Sequence, residues 1–171
     1  MTPEVFRKIY PLMAGWIDNT LSSHVEKARS VASTGFKRLP LYYSSALLAR
    51  AKFVPVDRCP TPPLASMGVE LFRDFEEMNP AGITYLDTYF VHQRHVTSER
   101  LHFHELIHVV QWFVLGPEKF LATYADGLER YGYRDSPLEV MAYDAEAAFA
   151  LGGQPFDAEK LVREQLGRIA G

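Results

Sequence analysis

One run constrains this chain more than any other: Leu101-His102-Phe103-His104-Glu105-Leu106-Ile107-His108-Val109-Val110, apolar, free of glycine and proline, and carrying His-Glu-x-x-His. Its composition predicts a helix. At about 100° per residue, His104 and His108 then differ in direction by roughly 40°, so both imidazoles project from one face and can reach one ion. Glu105 lies about 100° further round, placed to contact a water in an open coordination position rather than to bind the metal. His102, two residues before His104, points to nearly the opposite side and is excluded from the site. Gln111 shares the face of His104 and His108, where it either supports a ligand or satisfies a core hydrogen bond.

The surroundings agree with that reading. Thr97 or Ser98 can cap the helix, Glu99 in its first turn suits the helix dipole, and Gly116-Pro117 ends it and opens another. A buried helix with two histidines and a glutamate needs partners for them, because each unpaired buried polar group costs about 1–3 kcal/mol. The absence of other metal chemistry focuses attention here. Cys59 is the only cysteine, which excludes an intramolecular disulfide and a Cys-rich zinc site.

The rest of the chain reads as mostly helical with one short β region. Apolar residues from Val5 to Ala28 recur every three or four positions, predicting a helix from Pro3 to about Ala32, bent or split at Pro11 and Gly15. A short helix is expected from Tyr42 or Ser44 to about Lys52, and a proline-rich, extended loop from Val54 to Leu64. Val69 to Met78 reads as another short helix. Ile83 to Val91 is dense in β-branched and aromatic residues, predicting a strand or a hairpin turning near Leu86-Asp87. His92 and His95 follow in a loop. Further helices are predicted from Pro117 to Gly132, from Leu138 to about Leu151 after an opening Ser136-Pro137, and from a cap at Asp157, the last with a core face of Leu161, Val162, Leu166 and Ile169.

The expected fold class is therefore α+β and predominantly helical, with a short strand or hairpin beside the metal-motif helix. At 171 residues with 47% hydrophobic content, one domain is expected to span residues 1–171. Within it, residues 1–80 form a helical N-terminal part, 81–151 hold the strand, motif helix and third-ligand helix, and 155–171 form a C-terminal helix. A net charge of −3 and the lack of a Lys/Arg run argue against nucleic-acid binding. No segment reads as a secretory signal or a bilayer span, so a soluble, cytoplasmic protein without a membrane partner is expected.

Catalytic zinc takes three protein ligands plus water, so a third ligand must come from another element. The run His104-Glu105-Leu106-Ile107-His108-Val109-Val110-Gln111, followed by Gly132-Tyr133 and by Ser136-Pro137-Leu138-Glu139-Val140-Met141-Ala142-Tyr143, resembles the gluzincin branch of the zincin metallopeptidases. It is most similar to small bacterial minimal-zincin domains, in which a Pro-x-Glu-x-x-Ala helix follows the motif helix. The resemblance covers roughly residues 80 to 150. It implies a minimal zincin fold with Glu139 as third ligand to Zn2+. Helical spacing alone leaves Glu146 as a rival, seven residues on and on the same face. The chain departs from the longer thermolysin-like pattern, with Tyr143 where that group has an Asp and Asp144 one place further on. A metzincin site would need a third histidine after His108, and none follows.

The function expected is a zinc-dependent hydrolase, a metallopeptidase acting on a peptide or protein, with Glu105 as general base. Tyr143, one turn beyond Glu139, is the first candidate for stabilising the oxyanion, followed by Tyr133 and His95. By analogy with zincins, the strand around Ile83 to Val91 is expected to border the cleft and pair with an extended substrate. Two alternatives stand beside this: a zinc-containing binding or regulatory domain without general proteolytic activity, and an accidental motif in a helical interaction module.

Overall fold

The computed structural model describes residues 1–169; the side chain of Ile169, and residues 170 and 171, lie outside that description. In chain order the elements are α1 (Pro3–Ser23), β1 (Arg29–Ser30), α2 (Ser45–Arg50), β2 (Lys52–Val56), α3 (Arg73–Glu77), β3 (Gly82–Tyr85), β4 (Thr88–His92), α4 (Glu99–Leu115), α5 (Pro117–Tyr131), α6 (Pro137–Leu151) and α7 (Ala158–Ile169). Among the described residues this is a mostly helical α+β arrangement with one small mixed sheet, the class the patterning predicts. No helix among the described residues is long and apolar enough to cross a membrane.

The sheet runs in the order β1-β2-β4-β3. Strands β3 and β4 are the expected hairpin, paired antiparallel from Gly82↔Val91 to Tyr85↔Thr88 and joined at Leu86-Asp87. Leu86 adopts φ +58, a left-handed conformation usually left to glycine. Strand β2, by contrast, runs into the stretch from Val54 read as a proline-rich loop. It pairs in parallel with β4 along its full length, from Lys52↔Thr88 to Val56↔His92. Pro55 is tolerated there because β1 flanks only Lys52 and Phe53, leaving an open edge where the missing N–H costs nothing.

Two helices are shorter than their apolar spacing suggests. Helix α1 is unbroken at Pro11 and Gly15 but ends at Ser23, not near Ala32. There the Ser23 hydroxyl donates to the Thr20 carbonyl at 2.9 Å and His24 Nδ1 binds the same oxygen at 2.8 Å, both in place of continued helical bonding. Arg29 and Ser30 then turn to the sheet. Helix α2 is capped by Ser44, whose hydroxyl accepts from Leu47 N at 3.2 Å, and stops at Arg50 because Ala51 is extended and feeds β2.

Helix α4 lies at the centre. Every residue from His102 to Trp112 is buried, so the helix is apolar all round and needs cover on all sides. Strands β3 and β4 pack on one flank, α6 and α7 on others. Phe103, Leu106 and Ile107 are fully enclosed, each stabilising the fold by about 1.5–3 kcal/mol. Ser98, rather than Thr97, provides the cap, accepting from Leu101 N at 3.3 Å. Gly116, at φ +74, makes the sharp exit into Pro117. The cap of α7 is Asp157 as expected, its carboxylate accepting from Lys160 N at 2.9 Å.

Candidate metal centre

Helices α4 and α6 pack side by side, and this brings together residues about thirty-five positions apart in sequence. His104, His108 and Glu139 each offer a ligand atom within 4.8 Å of the other two. Nε2 of His104 lies 3.1 Å from Nε2 of His108, and each is 3.5 Å from one oxygen of Glu139. All are deeply enclosed: His104 is 5% exposed, His108 6%, Glu139 2% and Glu105 3%.

The outer nitrogens of both histidines are engaged, which aims the inner ones at a common point. His104 Nδ1 lies 2.9 Å from Oε2 of Glu146, a carboxylate, and so carries the proton it donates. His108 Nδ1 lies 2.8 Å from Oε1 of Gln111. The Gln111 amide is oriented by its other end, since only its NH2 can donate to the Leu138 carbonyl at 3.0 Å. His108 Nδ1 must therefore also be a donor. Glu146 thus sits behind His104 instead of among the three converging donors, and Arg100 pairs with its second oxygen.

Glu139 supplies the test of whether a cation fits. Its Oε1 accepts from the Tyr124 hydroxyl at 2.7 Å, whereas its Oε2 is buried without any hydrogen-bond partner. A buried carboxylate oxygen without a partner, 3.5 Å from the His104 imidazole nitrogen, is costly by itself and is satisfied by a cation. Electrostatics point the same way. Burial alone would raise the Glu139 carboxyl, but His108 and His104 outweigh it and hold it well below the ordinary carboxylate range. Burial opposes charge on His104, yet Glu139 and Glu146 overcome this and push its pKa up to about 10. The cluster draws positive charge to the point between the histidines. Two imidazoles and one carboxylate are a donor set that suits zinc.

Glu105 faces the same space from the side of β3. Burial raises its pKa above the ordinary value, against the opposing pull of His104, His108 and Thr84. The Thr84 hydroxyl donates to its Oε2 at 2.7 Å. Gly82, two residues earlier on the same face of β3, lies so close that a Cβ there would come within 2.7 Å of Glu105 Cδ. The Thr84 carbonyl accepts from the Trp112 indole at 3.1 Å and is not free for another backbone.

The remaining candidates are placed as follows. The Tyr143 ring packs on that of His104, centroids 4.7 Å apart, with the Arg134 guanidinium 4.8 Å above it. Tyr133 borders the space in front of Glu105, His108 and Glu139. His95 is exposed, its ring 6.1 Å from that of His92, and the structure does not bring it to the centre. His102 faces away: it accepts from the Tyr89 hydroxyl at 2.6 Å through Nδ1 and donates to the Val96 carbonyl at 2.9 Å. Three contributors were not foreseen. Tyr124 reads in the sequence as one more apolar position of α5, Thr84 as an ordinary strand residue, and Gly82 as part of a turn. Compared with known proteins, the chain matches no protein family, no curated protein and no solved structure.

Proposed function

We propose that His104, His108 and Glu139 hold one zinc ion and that the chain is a zinc-dependent hydrolase of the gluzincin kind, acting on peptide bonds. The observation that carries this is the unpartnered, buried Oε2 of Glu139 in a set of three donors within 4.8 Å of one another. Held by these three residues, zinc would supply Lewis acidity and would lower the pKa of an attacking water.

The chain's own residues then divide the work. Glu146 and Gln111 fix the tautomers of His104 and His108, and Tyr124 anchors one oxygen of Glu139. Glu105, bordering the same space, takes the water's proton and passes it to the leaving amine; burial, by raising its pKa, favours the protonated form that the base must pass through. Thr84 and Gly82 hold its carboxylate against β3. Tyr133, and Tyr143 beside His104, are the candidate donors to a developing oxyanion.

A second reading, a zinc-containing binding or regulatory domain, is favoured by one observation: the four central side chains are only 2–6% exposed, so a polypeptide reaches them only after part of the cover moves. The test is zinc analysis of the purified protein together with turnover of a peptide library by wild type and Glu105→Gln. The peptidase reading expects stoichiometric zinc in both and turnover only in wild type. Turnover that survives the substitution removes Glu105 as the base. Zinc without turnover in either protein selects the binding domain, and protein without stoichiometric zinc overturns both readings.

A further inference from the structure

Residues 61–79, which lie between β2 and β3 and include α3, satisfy their own polar groups. Among the described residues, every hydrogen bond and ion pair of this segment closes within it. The Thr61 hydroxyl donates to the Glu76 carbonyl at 2.9 Å and Ala65 N donates to the Glu76 carboxylate at 2.8 Å, so one residue of α3 clasps the start of the segment. Backbone turns from Pro62 to Val69 and the Glu70–Arg73 pair complete the set. No polar contact with the rest of the chain has to break for the segment to leave.

Its two roots, by contrast, are fixed to the hairpin. Just before it the Pro60 carbonyl accepts from the Tyr85 hydroxyl at 2.8 Å, and just after it the Ala81 carbonyl accepts from His92 N at 2.8 Å. Between the roots only apolar contact holds the segment down. Leu64, Val69 and Phe72 join Ile9 in a buried cluster separate from the main core, against which Met13 of α1 and Ala125 and Leu128 of α5 pack. The Phe75 ring lies against Tyr124 and Tyr133, centroids 6.0 and 6.1 Å away. Contacts of this kind have no direction and can be released and remade as a unit.

Beneath the segment the donors are shut in. The space between Leu64 and Phe72 on one side and Glu105, His108 and Glu139 on the other is about 80 Å3. A cavity of about 150 Å3 is needed for benzene, so no length of peptide enters while the segment is down.

We propose that residues 61–79 are a lid that swings as one body off α1 and α5 about its roots at Pro60 and Ala81, and that metal ions and substrates reach Glu105, His108 and Glu139 only while it is raised. The gating rests on the zinc-hydrolase reading of the donors; the opening itself does not.

Thiol labelling of metal-free protein reads the opening. Leu64→Cys places a thiol on the inner side of the lid and Leu48→Cys one in the main core, positions 4% and 5% exposed, each in a Cys59→Ala background. The thiol of Leu64→Cys is expected to react at least about 100-fold faster, at a rate that rises little with urea, because local opening exposes far less surface than global unfolding. Val69→Cys against Val54→Cys repeats the comparison with a smaller change of volume. Zinc kinetics read the gating. Val69→Ala removes two methyl groups from the docking face, so zinc uptake and zinc transfer to a chelator should both quicken by about tenfold while the dissociation constant stays unchanged. Equal labelling rates with equal urea dependence in both pairs overturn the lid. Uptake and release that ignore Val69→Ala overturn the gating and leave the zinc reading standing. Protein that holds no zinc overturns the zinc reading and the gating with it, and the labelling comparison still decides whether the lid opens.

Discussion

The Tyr124 hydroxyl donates to Oε1 of Glu139 at 2.7 Å, while the other oxygen of that carboxylate has no partner at all. One oxygen is thus tethered from α5 and lies 3.5 Å from Nε2 of His108, and the other lies 3.5 Å from Nε2 of His104. Tyr124→Phe removes the tether and leaves the ring packing in place. Zinc affinity should fall by about 10–100-fold, the usual cost of losing a group that orients a ligand. Competition with a chromophoric chelator measures it, and an unchanged affinity would show that packing alone orients Glu139.

Glu146 offers a matched experiment on the other side of the centre. Its carboxylate accepts from His104 Nδ1 at 2.9 Å and pairs with Arg100, and these two partners hold its pKa below the ordinary value despite burial. Glu146→Ala should weaken zinc binding by about 10–100-fold. Glu139→Ala, which removes a converging donor, should abolish stoichiometric binding. The reverse order would make Glu146 the ligand.

Sequence patterning made the fold class and the donor helix legible because both rest on local periodicity. His104, Glu105 and His108 lie within five positions, and an apolar helix between a serine cap and Gly116 leaves them one arrangement. Choosing Glu139 over Glu146 needed the resemblance, since helical spacing puts both on one face; the structure separates them by which nitrogen of His104 each one meets. Strand β2 was hidden because Pro55 marks a loop unless one knows that β1 ends beside Phe53. Tyr124, Thr84 and Gly82 could not be read either: their partners lie 15, 21 and 23 positions away on packed neighbours, and no local signal records such contacts.

Gly82 is open to direct test because its role is the absence of a side chain. A Cβ there would stand 2.7 Å from Cδ and 3.0 Å from Cγ of Glu105, in an environment where Thr84 already holds the carboxylate. Gly82→Ala should destabilise the fold by about 1–3 kcal/mol through overpacking, measured by urea unfolding. Because Glu105 is displaced and the three metal donors are not, zinc stoichiometry should survive while turnover falls. Thr84→Ser, which keeps the hydroxyl, should be nearly silent in both measurements.

Zinc itself should contribute to stability. The donors come from α4 and α6, so binding ties two helices together only when the chain is folded. At free zinc about 100-fold above its dissociation constant, the gain should be about 2.7 kcal/mol, read as a rise in thermal midpoint that a chelator reverses. His104→Ala should show no zinc-dependent rise. A midpoint in wild type that ignores both zinc and chelator would mean that the cluster is not a metal site.

Cys59 is 1% exposed, and its thiol lies 3.6 Å from the Phe90 carbonyl it can donate to. Burial, with the nearby negative charge of Glu105, pushes its pKa up from 9.0 to about 12. The folded chain therefore keeps a proton on sulfur that the unfolded chain gives up, so the stabilising effect is fully present below about pH 9 and declines as pH rises toward 12. Two outcomes are expected. The native protein should resist thiol-specific alkylation at pH 8, where unfolded chain reacts readily. Cys59→Ala should flatten the loss of stability between pH 9 and 11, after its own cavity cost is subtracted as a constant. Rapid labelling of native protein would mean that β4 opens on the labelling timescale or that the thiol is not enclosed.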